Sequence, residues 1–213
     1  MSFVKRLVQL DVDSTFIQQE AIELLAAKAG VLEAVKQITD AAMRGELDFA
    51  QSLEARVKLL AGLPDTVFAE VRSEITLTDG AAELVSLLHE KGHCVALVSG
   101  GFTNILQPIV TELGIDFFRA NTLEVVAGVL TGKVVGEIVD RAGKATALRE
   151  FAGACQVQLA DTVAIGDGAN DLDMMALAGL SIAFNAKPIV VQAADFAINE
   201  PSLSSVVELI GLA

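Results

Sequence analysis

Four short apolar runs punctuate the chain, and each of them ends at a polar or glycine-rich turn. The runs are Leu7 to Leu10, Cys94 to Val98, Thr162 to Ile165 and Leu180 to Phe184. Continuous apolar runs of this length are typical of strands that are buried on both faces. Helical patterns alternate with them over residues 81–91, 104–113, 144–152 and 171–178. Alternating strands and helices predict right-handed crossovers, so we expect an α/β fold built on a doubly wound parallel sheet.

Two segments interrupt this alternation. Between Phe16 and Ile75 the sequence has no strand-like run, only amphipathic helical patterns over residues 17–29, 32–44, 49–61 and 65–75. We interpret residues 16–76 as a helical-bundle cap, inserted into a core formed by residues 1–15 and 77–213. From Thr122 to Val139, β-branched residues alternate with glycine turns, which predicts a small β-hairpin flap.

The charge balance limits the partners that the chain can bind. There are 15 Lys and Arg residues against 28 Asp and Glu residues among 213, a net charge of −13. Nucleic acids and anionic membranes are bound by basic surfaces, so both are disfavoured as partners. Hydrophobic residues make up 53% of the chain, which is enough for a sizeable core.

The sequence also limits the compartment. No apolar run reaches the roughly 18 residues of a membrane span, and Asp11 interrupts the first run before a signal peptide could develop. Two cysteines, Cys94 and Cys155, are too few for a framework of disulfides, which is typical of a reducing compartment. We therefore expect a soluble cytoplasmic protein, a monomer or a homodimer, whose partner is a small molecule and neither nucleic acid nor a membrane.

Paired carboxylates follow the first apolar run directly. In an open α/β sheet, ligands bind outside the carboxyl ends of the strands. Asp11 and Asp13 lie on one side of an extended backbone, since side chains repeat every two residues. The two carboxylates repel each other unless a cation binds between them. With Mg²⁺ bound, Asp11 can be a ligand and a nucleophile while Asp13 carries a proton. The alternative is a plain loop in which Asp13, Ser14 or Thr15 caps the following helix.

The third run ends at the more specific motif, Gly166-Asp167-Gly168-Ala169-Asn170-Asp171. Apart from Ala169, the motif fixes five residues, and such a pattern arises by chance in about one chain in ten thousand. The glycines permit a sharp strand-to-helix turn, and the acids supply oxygen ligands suited to Mg²⁺. At the end of the second run, Ser99-Gly100-Gly101 offers a hydroxyl and accessible N–H groups to an anion. A phosphate among carboxylates also needs a fixed cation, for which we favour Lys144, at a helix start, over Lys133.

Together these motifs resemble the four ordered motifs of the haloacid dehalogenase superfamily of aspartyl-phosphate enzymes. Their order and their strand-end placement match over nearly the whole chain. Within that superfamily the sequence is similar to the phosphoserine phosphatase family. The segments that carry this second likeness are Asp11-x-Asp13-Ser14-Thr15-Phe16, Glu20, Met43-x5-Phe49-x3-Leu53-x2-Arg56, Val98-Ser99-Gly100-Gly101-Phe102 and the Gly166 to Asp171 motif.

The resemblance implies a HAD-like Rossmannoid core and Mg²⁺-dependent hydrolysis of O-phospho-L-serine to L-serine and phosphate, the last step of phosphorylated serine biosynthesis. It implies that Asp11 is the nucleophile and that Asp13 is the proton donor and acceptor. The implied Mg²⁺ ligands are Asp11, the Asp13 carbonyl, Asp167 and, directly or through water, Asp171. The implied phosphate-binding residues are Ser99, Gly100, Lys144 and Asn170, and the implied substrate-binding residues are Glu20, Met43, Phe49, Arg56 and Gly101.

Two of the cap residues suit a substrate that is an amino acid. Phosphoserine carries a carboxylate and an ammonium beyond its phosphate; Arg56 can hold the carboxylate in a bidentate fork, and Glu20 can pair with the ammonium. Phe49, Leu53 and Arg56 stand at i, i+4 and i+7 and therefore share one helix face.

Two alternative functions stay open. One keeps the chemistry and changes the substrate: a phosphatase or phosphotransferase that acts on another small phosphomonoester or on an acceptor alcohol such as homoserine. The other is a non-enzymatic phospho-acceptor that resembles a response-regulator receiver domain. Asp13 and the helical insert count against the receiver, because a receiver keeps its phosphoryl group and needs neither.

Overall fold

A computed structural model describes residues 4–211 of the chain and, at Met43, the backbone alone. Within these residues a single mostly parallel sheet has the strand order β4-β3-β2-β1-β5-β6-β7. The strands are β1 Leu7–Asp11, β2 Cys94–Phe102, β3 Phe117–Val126, β4 Val129–Val135, β5 Thr162–Gly166, β6 Leu180–Phe184 and β7 Phe196–Ile198. The β3–β4 hairpin is antiparallel and the other pairs are parallel. The doubly wound parallel sheet is thereby confirmed.

Some helices of the described chain cover both faces of the sheet, as right-handed crossovers require, and others lie in the segment interpreted as the cap. The helices are α1 Ala21–Lys28, α2 Leu32–Met43, α3 Phe49–Lys58, α4 Val67–Glu74, α5 Ala81–Glu90, α6 Thr103–Glu112, α7 Arg141–Cys155, α8 Leu172–Leu177, α9 Pro188–Ala193 and α10 Val206–Leu209. Alternate residues of β1 illustrate the two layers, because Val8 and Leu10 join one buried apolar cluster whereas Leu7 joins the other. The strand β1 lies between β2 and β5, so its carboxyl end is central to the sheet.

Helices α1 to α4 lie in the segment interpreted as the cap (residues 16–76) and share a third apolar cluster. Leu25, Leu53 and Val71 are buried there. The β3–β4 hairpin contributes Leu123 and Leu130 to the same cluster, so the flap packs against the helices. The ends of the segment meet, because Ile17 and Leu77 pair in an antiparallel bridge.

The predicted hairpin flap is present, but the sequence does not indicate that its first strand extends into the main sheet. β3 begins at Phe117 and pairs with β2 in parallel before it turns into the hairpin. Arg119 and Asn121 interrupt the apolar pattern that would have marked this strand.

The two cysteines form one disulfide, Cys94–Cys155, which joins the first residue of β2 to the last residue of α7. The sequence predicts that two cysteines are too few for a framework of disulfides, and it does not indicate this single bridge. Sequence separation carries no information about such contacts; the packing of α7 across β2 brings the two residues together. Among the described residues, no helix is long and apolar enough to cross a membrane.

Candidate active site

The carboxyl end of β1 holds a buried ion-pair cluster. Lys144 is completely buried near the start of α7, and its Nζ donates to Asp11 Oδ1 at 2.5 Å and to Asp171 Oδ1 at 2.7 Å. The cluster forms because β1 and β5 are neighbours and because α7 begins beside them. Lys144 thus lies among the strand-end acids, whereas the alternative, Lys133, lies exposed on β4.

The electrostatics of this cluster favour added positive charge. Burial raises the pKa of Asp11 well above its ordinary value, and Asp171 raises it further, whereas Lys144 acts in the opposite direction. Burial alone would lower the pKa of Lys144, but Asp11 and Asp171 raise it above that of a free lysine. Lys144 therefore stays protonated. Its single positive charge does not neutralise the negative charge of the surrounding carboxylates.

A third carboxylate completes a group of metal-ligand type. Oxygens of Asp11, Asp167 and Asp171 lie within 4.8 Å of one another. Burial raises the pKa of Asp167 to about 6, and Asp171 adds to the shift, although Lys144, Lys187 and a hydrogen bond from Thr15 oppose it. Hard carboxylate oxygens with uncompensated negative charge are the donor set that Mg²⁺ prefers, so these residues fit a divalent cation.

The turn after β5 is tight, and its glycines allow it. A Cβ at Gly166 would collide with the Asp171 side chain. Asp171 Oδ2 accepts hydrogen bonds from the N–H groups of Asp167 and Gly168, at 3.2 and 3.0 Å. Asp171 is thus held by the turn on one side and by Lys144 on the other.

Asp13 lies beside the end of β2. Its Oδ2 accepts a hydrogen bond from Ser99 Oγ at 2.6 Å, and its Oδ1 accepts one from the N–H of Ala21, the first residue of α1, at 2.8 Å. Ser99 Oγ in turn accepts from Gly101 N–H at 2.7 Å. A Cβ on Gly101 would lie 2.7 Å from Asp13 Oδ2, so this close approach requires glycine.

The cap contributes the opposite wall of a cavity of about 530 Å³. Phe49 and Arg56 line it from α3, and Glu20 lines it from the residue before α1. Glu20 is partly exposed to solvent. Desolvation of its carboxyl group nevertheless raises the pKa of Glu20 to about 7, and the nearby Asp13 raises it further. Ser14 Oγ donates to Glu20 Oε1 at 2.7 Å and opposes that shift. Arg56 Nε donates to the Ser52 carbonyl at 3.1 Å, which fixes its direction.

Most of the predicted site residues border this one cavity. Those that line it are Asp11, Asp13, Glu20, Phe49, Arg56, Gly100, Gly101, Asp167 and Asn170. Ser99, Lys144 and Asp171 are fully buried behind that lining. The Met43 side chain lies outside the described residues, so that prediction has no structural counterpart here.

Some polar residues at or beside the cavity were not among the predicted site residues. Arg141 and Lys187 line it, and Thr15 Oγ1 donates to Asp167 Oδ1 at 3.3 Å. Lys187 follows β6, so the strand-end argument made for β1, β2 and β5 applies to it as well. Arg141 forms an ion pair with Asp173 at 2.5 Å. No sequence motif around Arg141 indicates that it lines the cavity.

Comparison with known proteins agrees with this geometry. Residues 8–176 match the family model of the haloacid dehalogenase-like hydrolases. The phosphoserine phosphatase of Streptomyces coelicolor is 59% identical over 98% of this chain, and the chain spans 51% of that protein. The phosphoserine phosphatase of Streptococcus thermophilus is 50% identical over 99% of this chain and 98% of its own length. The chain thus spans about half the length of one relative and nearly all of the other.

The solved structures give the same result. A structure described as a phospho-aspartyl intermediate analogue of phosphoserine phosphatase has a TM-score of 0.91 and 44% identity, and the match covers 97% of this chain and 99% of that one. Sequence, fold and the acidic strand-end cluster therefore agree. The chain belongs to the haloacid dehalogenase-like hydrolase family and, within it, groups with the phosphoserine phosphatases.

Proposed function

We propose that this protein catalyses the Mg²⁺-dependent hydrolysis of O-phospho-L-serine to L-serine and phosphate. One observation carries the proposal: Asp11, held by buried Lys144, and Asp13, held by Ser99, face the same cavity as Arg56 and Glu20. The first pair of groups suits phosphoryl transfer, and the second suits an amino acid. The similarity to proteins named phosphoserine phosphatases supports both parts.

In the first step, an Asp11 oxygen attacks phosphorus and forms an acyl-phosphate bond while the bond from phosphorus to the serine oxygen breaks. Asp13 gives its proton to that leaving oxygen. The hydrogen bonds from Ser99 and the Ala21 amide fix the direction of the Asp13 carboxyl group. Serine leaves with the proton that Asp13 supplied.

In the second step, Asp13 removes a proton from water, and the resulting hydroxide attacks the same phosphorus. The bond from phosphorus to Asp11 breaks, which regenerates the carboxylate and releases phosphate. Lys144, the Gly100 N–H and Asn170 bind phosphoryl oxygens in this scheme, and their role is to neutralise and orient charge.

We assign Mg²⁺ to the acidic cluster. Asp11, the Asp13 carbonyl and Asp167 would hold it, and Asp171 would act through water because both of its oxygens already accept hydrogen bonds. When bound, the ion supplies positive charge that offsets the phosphoryl oxygens.

Substrate selection lies with the cap in this proposal. Arg56 reads the carboxylate of the substrate, and Glu20 pairs with its ammonium. Phe49 reaches across the cavity, since its ring atom Cζ would lie 3.0 Å from a Cβ placed on Gly100. Such a contact would shield the phosphoryl group from water.

A panel assay tests the proposed function. Phosphate release is measured from phosphoserine, phosphoethanolamine, glycerol 3-phosphate and p-nitrophenyl phosphate, with Mg²⁺ and with a chelator, and with homoserine added as an acceptor. We expect kcat/KM for phosphoserine to exceed that for phosphoethanolamine by about 100-fold, because the second ester leaves Arg56 unpaired. Equal kcat/KM values across the panel would refute phosphoserine as the preferred substrate. Phosphohomoserine as the main product would refute water as the acceptor.

Arg56→Ala separates substrate recognition from chemistry. We expect KM for phosphoserine to rise by about 100-fold, because a charge-assisted pair is lost. The KM for phosphoethanolamine, which has no carboxylate, should change little. Arg72→Ala, in α4 and outside the cavity, is the matched control and should leave both constants near their wild-type values. Equal losses on the two esters in the Arg56 variant would show that Arg56 does not contact the carboxylate.

The raised carboxyl pKa values predict that the metal-free protein is more stable at pH 6 than at pH 8. The folded-state pKa values of Glu20 and Asp167 are about 7 and about 6, above their ordinary values of 4.5 and 3.8. The folded state therefore binds protons more tightly, and stability is lost as the pH rises from about 4 through these values. We expect the melting temperature to fall by about 5 °C between pH 6 and pH 8.

Mg²⁺ should reverse this trend, because it competes with protons for the same oxygens. The Mg²⁺-induced rise in melting temperature should be larger at pH 8 than at pH 6. Asp167→Asn should reduce the rise, whereas Asp40→Asn, an exposed acid in α2, should preserve it. A Mg²⁺ effect that is as large at pH 6 as at pH 8 would contradict the assignment.

We further propose that the enzyme works in the cytoplasm as the last step of the phosphorylated route to serine. The small, highly charged substrate supports this, since such a molecule does not cross a membrane unaided. Separating cell extracts into soluble and membrane fractions and measuring phosphoserine hydrolysis in each tests the assignment; activity in the membrane fraction would refute it.

A further inference from the structure

The strand β2 leaves its ladder with β3 at the residues that are proposed to bind phosphate. Val98 pairs with Arg119, and the next pair is Phe102 with Asn121, so four steps along β2 match two steps along β3. Residues 99–101 therefore bulge out of the ladder. A bulge leaves backbone groups without their strand partners, and those groups need other partners when they are buried.

The side chain of Asn121 supplies one of these partners and, with its other end, binds a second backbone segment. Asn121 is buried, with 1% of its surface exposed. Its Nδ2 donates to the Gly100 carbonyl at 2.8 Å, and its Oδ1 accepts from the Val139 N–H at 2.8 Å. One amide thus joins the phosphate-binding bulge to the segment that leads into α7.

The peptide group between Gly100 and Gly101 is consequently fixed at both ends. Its carbonyl accepts from Asn121, and its N–H donates to Ser99 Oγ at 2.7 Å. The other contact of Asn121, Val139, immediately precedes Asp140, whose carboxylate caps α7 by accepting from Gly143 N–H at 2.8 Å. The next residue, Lys144, carries the buried ammonium.

We propose that Asn121 is a positioning residue that holds the backbone bulge at Gly100 and the Lys144 ammonium in a fixed relation, so that both act on one phosphoryl group. The inference rests on the proposed function for the identity of that group. Asn121 contacts neither the substrate nor the acids. It acts through the two backbone segments that it bridges.

The test compares Asn121→Ala with Asn104→Ala. Asn104 is a matched control because its side chain also bridges backbone groups of β3: Oδ1 accepts from Leu123 N–H at 2.9 Å and Nδ2 donates to the Leu123 carbonyl at 3.3 Å. We expect Asn121→Ala to weaken the binding of inorganic phosphate by about tenfold and to lower kcat by about 10- to 100-fold. The ratio of kcat/KM for phosphoserine to that for phosphoethanolamine should stay unchanged, because the cap is untouched.

Asn104→Ala should lower the melting temperature by a similar amount and leave phosphate binding within about twofold of the wild type. Phosphate affinity is measured by calorimetry with Mg²⁺ present. Unchanged phosphate affinity in Asn121→Ala, or an equal loss in both variants, would overturn the inference. If the alanine variant does not fold, Asn121→Ser, which leaves room for a bridging water, is measured against the same outcomes. A wild-type protein that binds phosphate but does not hydrolyse phosphoserine would refute the proposed function and leave this comparison valid.

Discussion

Asp11→Asn should lower kcat for phosphoserine by about 10⁴-fold or more, because an amide cannot form the acyl-phosphate bond on which both steps depend. Substrate affinity should persist, since Arg56 and Glu20 are unaffected. Rapid acid quenching followed by intact-mass measurement should detect a phosphorylated form of the wild type and none of the variant.

The variant should fold normally. Burial and neighbouring acids already raise the pKa of Asp11, so a neutral amide at this position relieves repulsion, and its oxygen can still accept from Lys144. Asp161→Asn, just before β5 at the opposite end of the sheet, is the matched control and should retain full activity. A folded Asp11→Asn variant that turns over at more than about 1% of the wild-type rate would remove Asp11 as nucleophile.

Lys144→Met should have the second-largest effect, on stability and activity together. Methionine leaves Asp11 and Asp171 buried side by side without a counter-charge. Removing one partner of a buried ion pair costs about 3–5 kcal/mol, and losing one charge that stabilises the transition state lowers kcat by about 10²- to 10³-fold. Mg²⁺ should restore part of the stability and little of the rate, since the ion replaces the missing charge without occupying the place of the ammonium.

Lys133→Met provides the control and also tests the alternative lysine. Lys133 is exposed on β4, and its removal should change the free energy of unfolding by no more than about 0.5 kcal/mol. Urea unfolding and steady-state rates, each with and without Mg²⁺, measure both variants. Near-normal activity of Lys144→Met together with a loss in Lys133→Met would exchange the two assignments.

The central strands were predictable because both of their faces are buried. β1, β2, β5 and β6 therefore appear as continuous apolar runs, and their bounds differ from the predicted ones mainly at the carboxyl ends, where polar site residues complete the strand. The edge strands gave weaker patterns. β7 is three residues long with two of them exposed, which leaves no periodicity to detect.

The candidate site was predictable to the extent that its residues follow the apolar runs of the sequence. Asp11, Ser99 and Asp167 do so, and the sheet brings them together. Asn121 and the Cys94–Cys155 disulfide could not be found in this way, because both serve contacts between distant segments. A buried asparagine within a strand looks like an interruption until its backbone partners are known.

The paired ends of the cap have a consequence for how the enzyme can diversify. Ile17 and Leu77 lie opposite each other, Gln18 N–H donates to the Thr76 carbonyl at 3.0 Å, and Thr78 N–H donates to the Phe16 carbonyl at 2.9 Å. The insert thus leaves and re-enters the core through a short two-stranded stem, so its length adds little loop-closure entropy to folding. Under the proposed function, selectivity and bond cleavage lie in separable stretches of the chain, and we expect a graft at this stem to exchange the accepted ester while leaving the cleavage machinery intact.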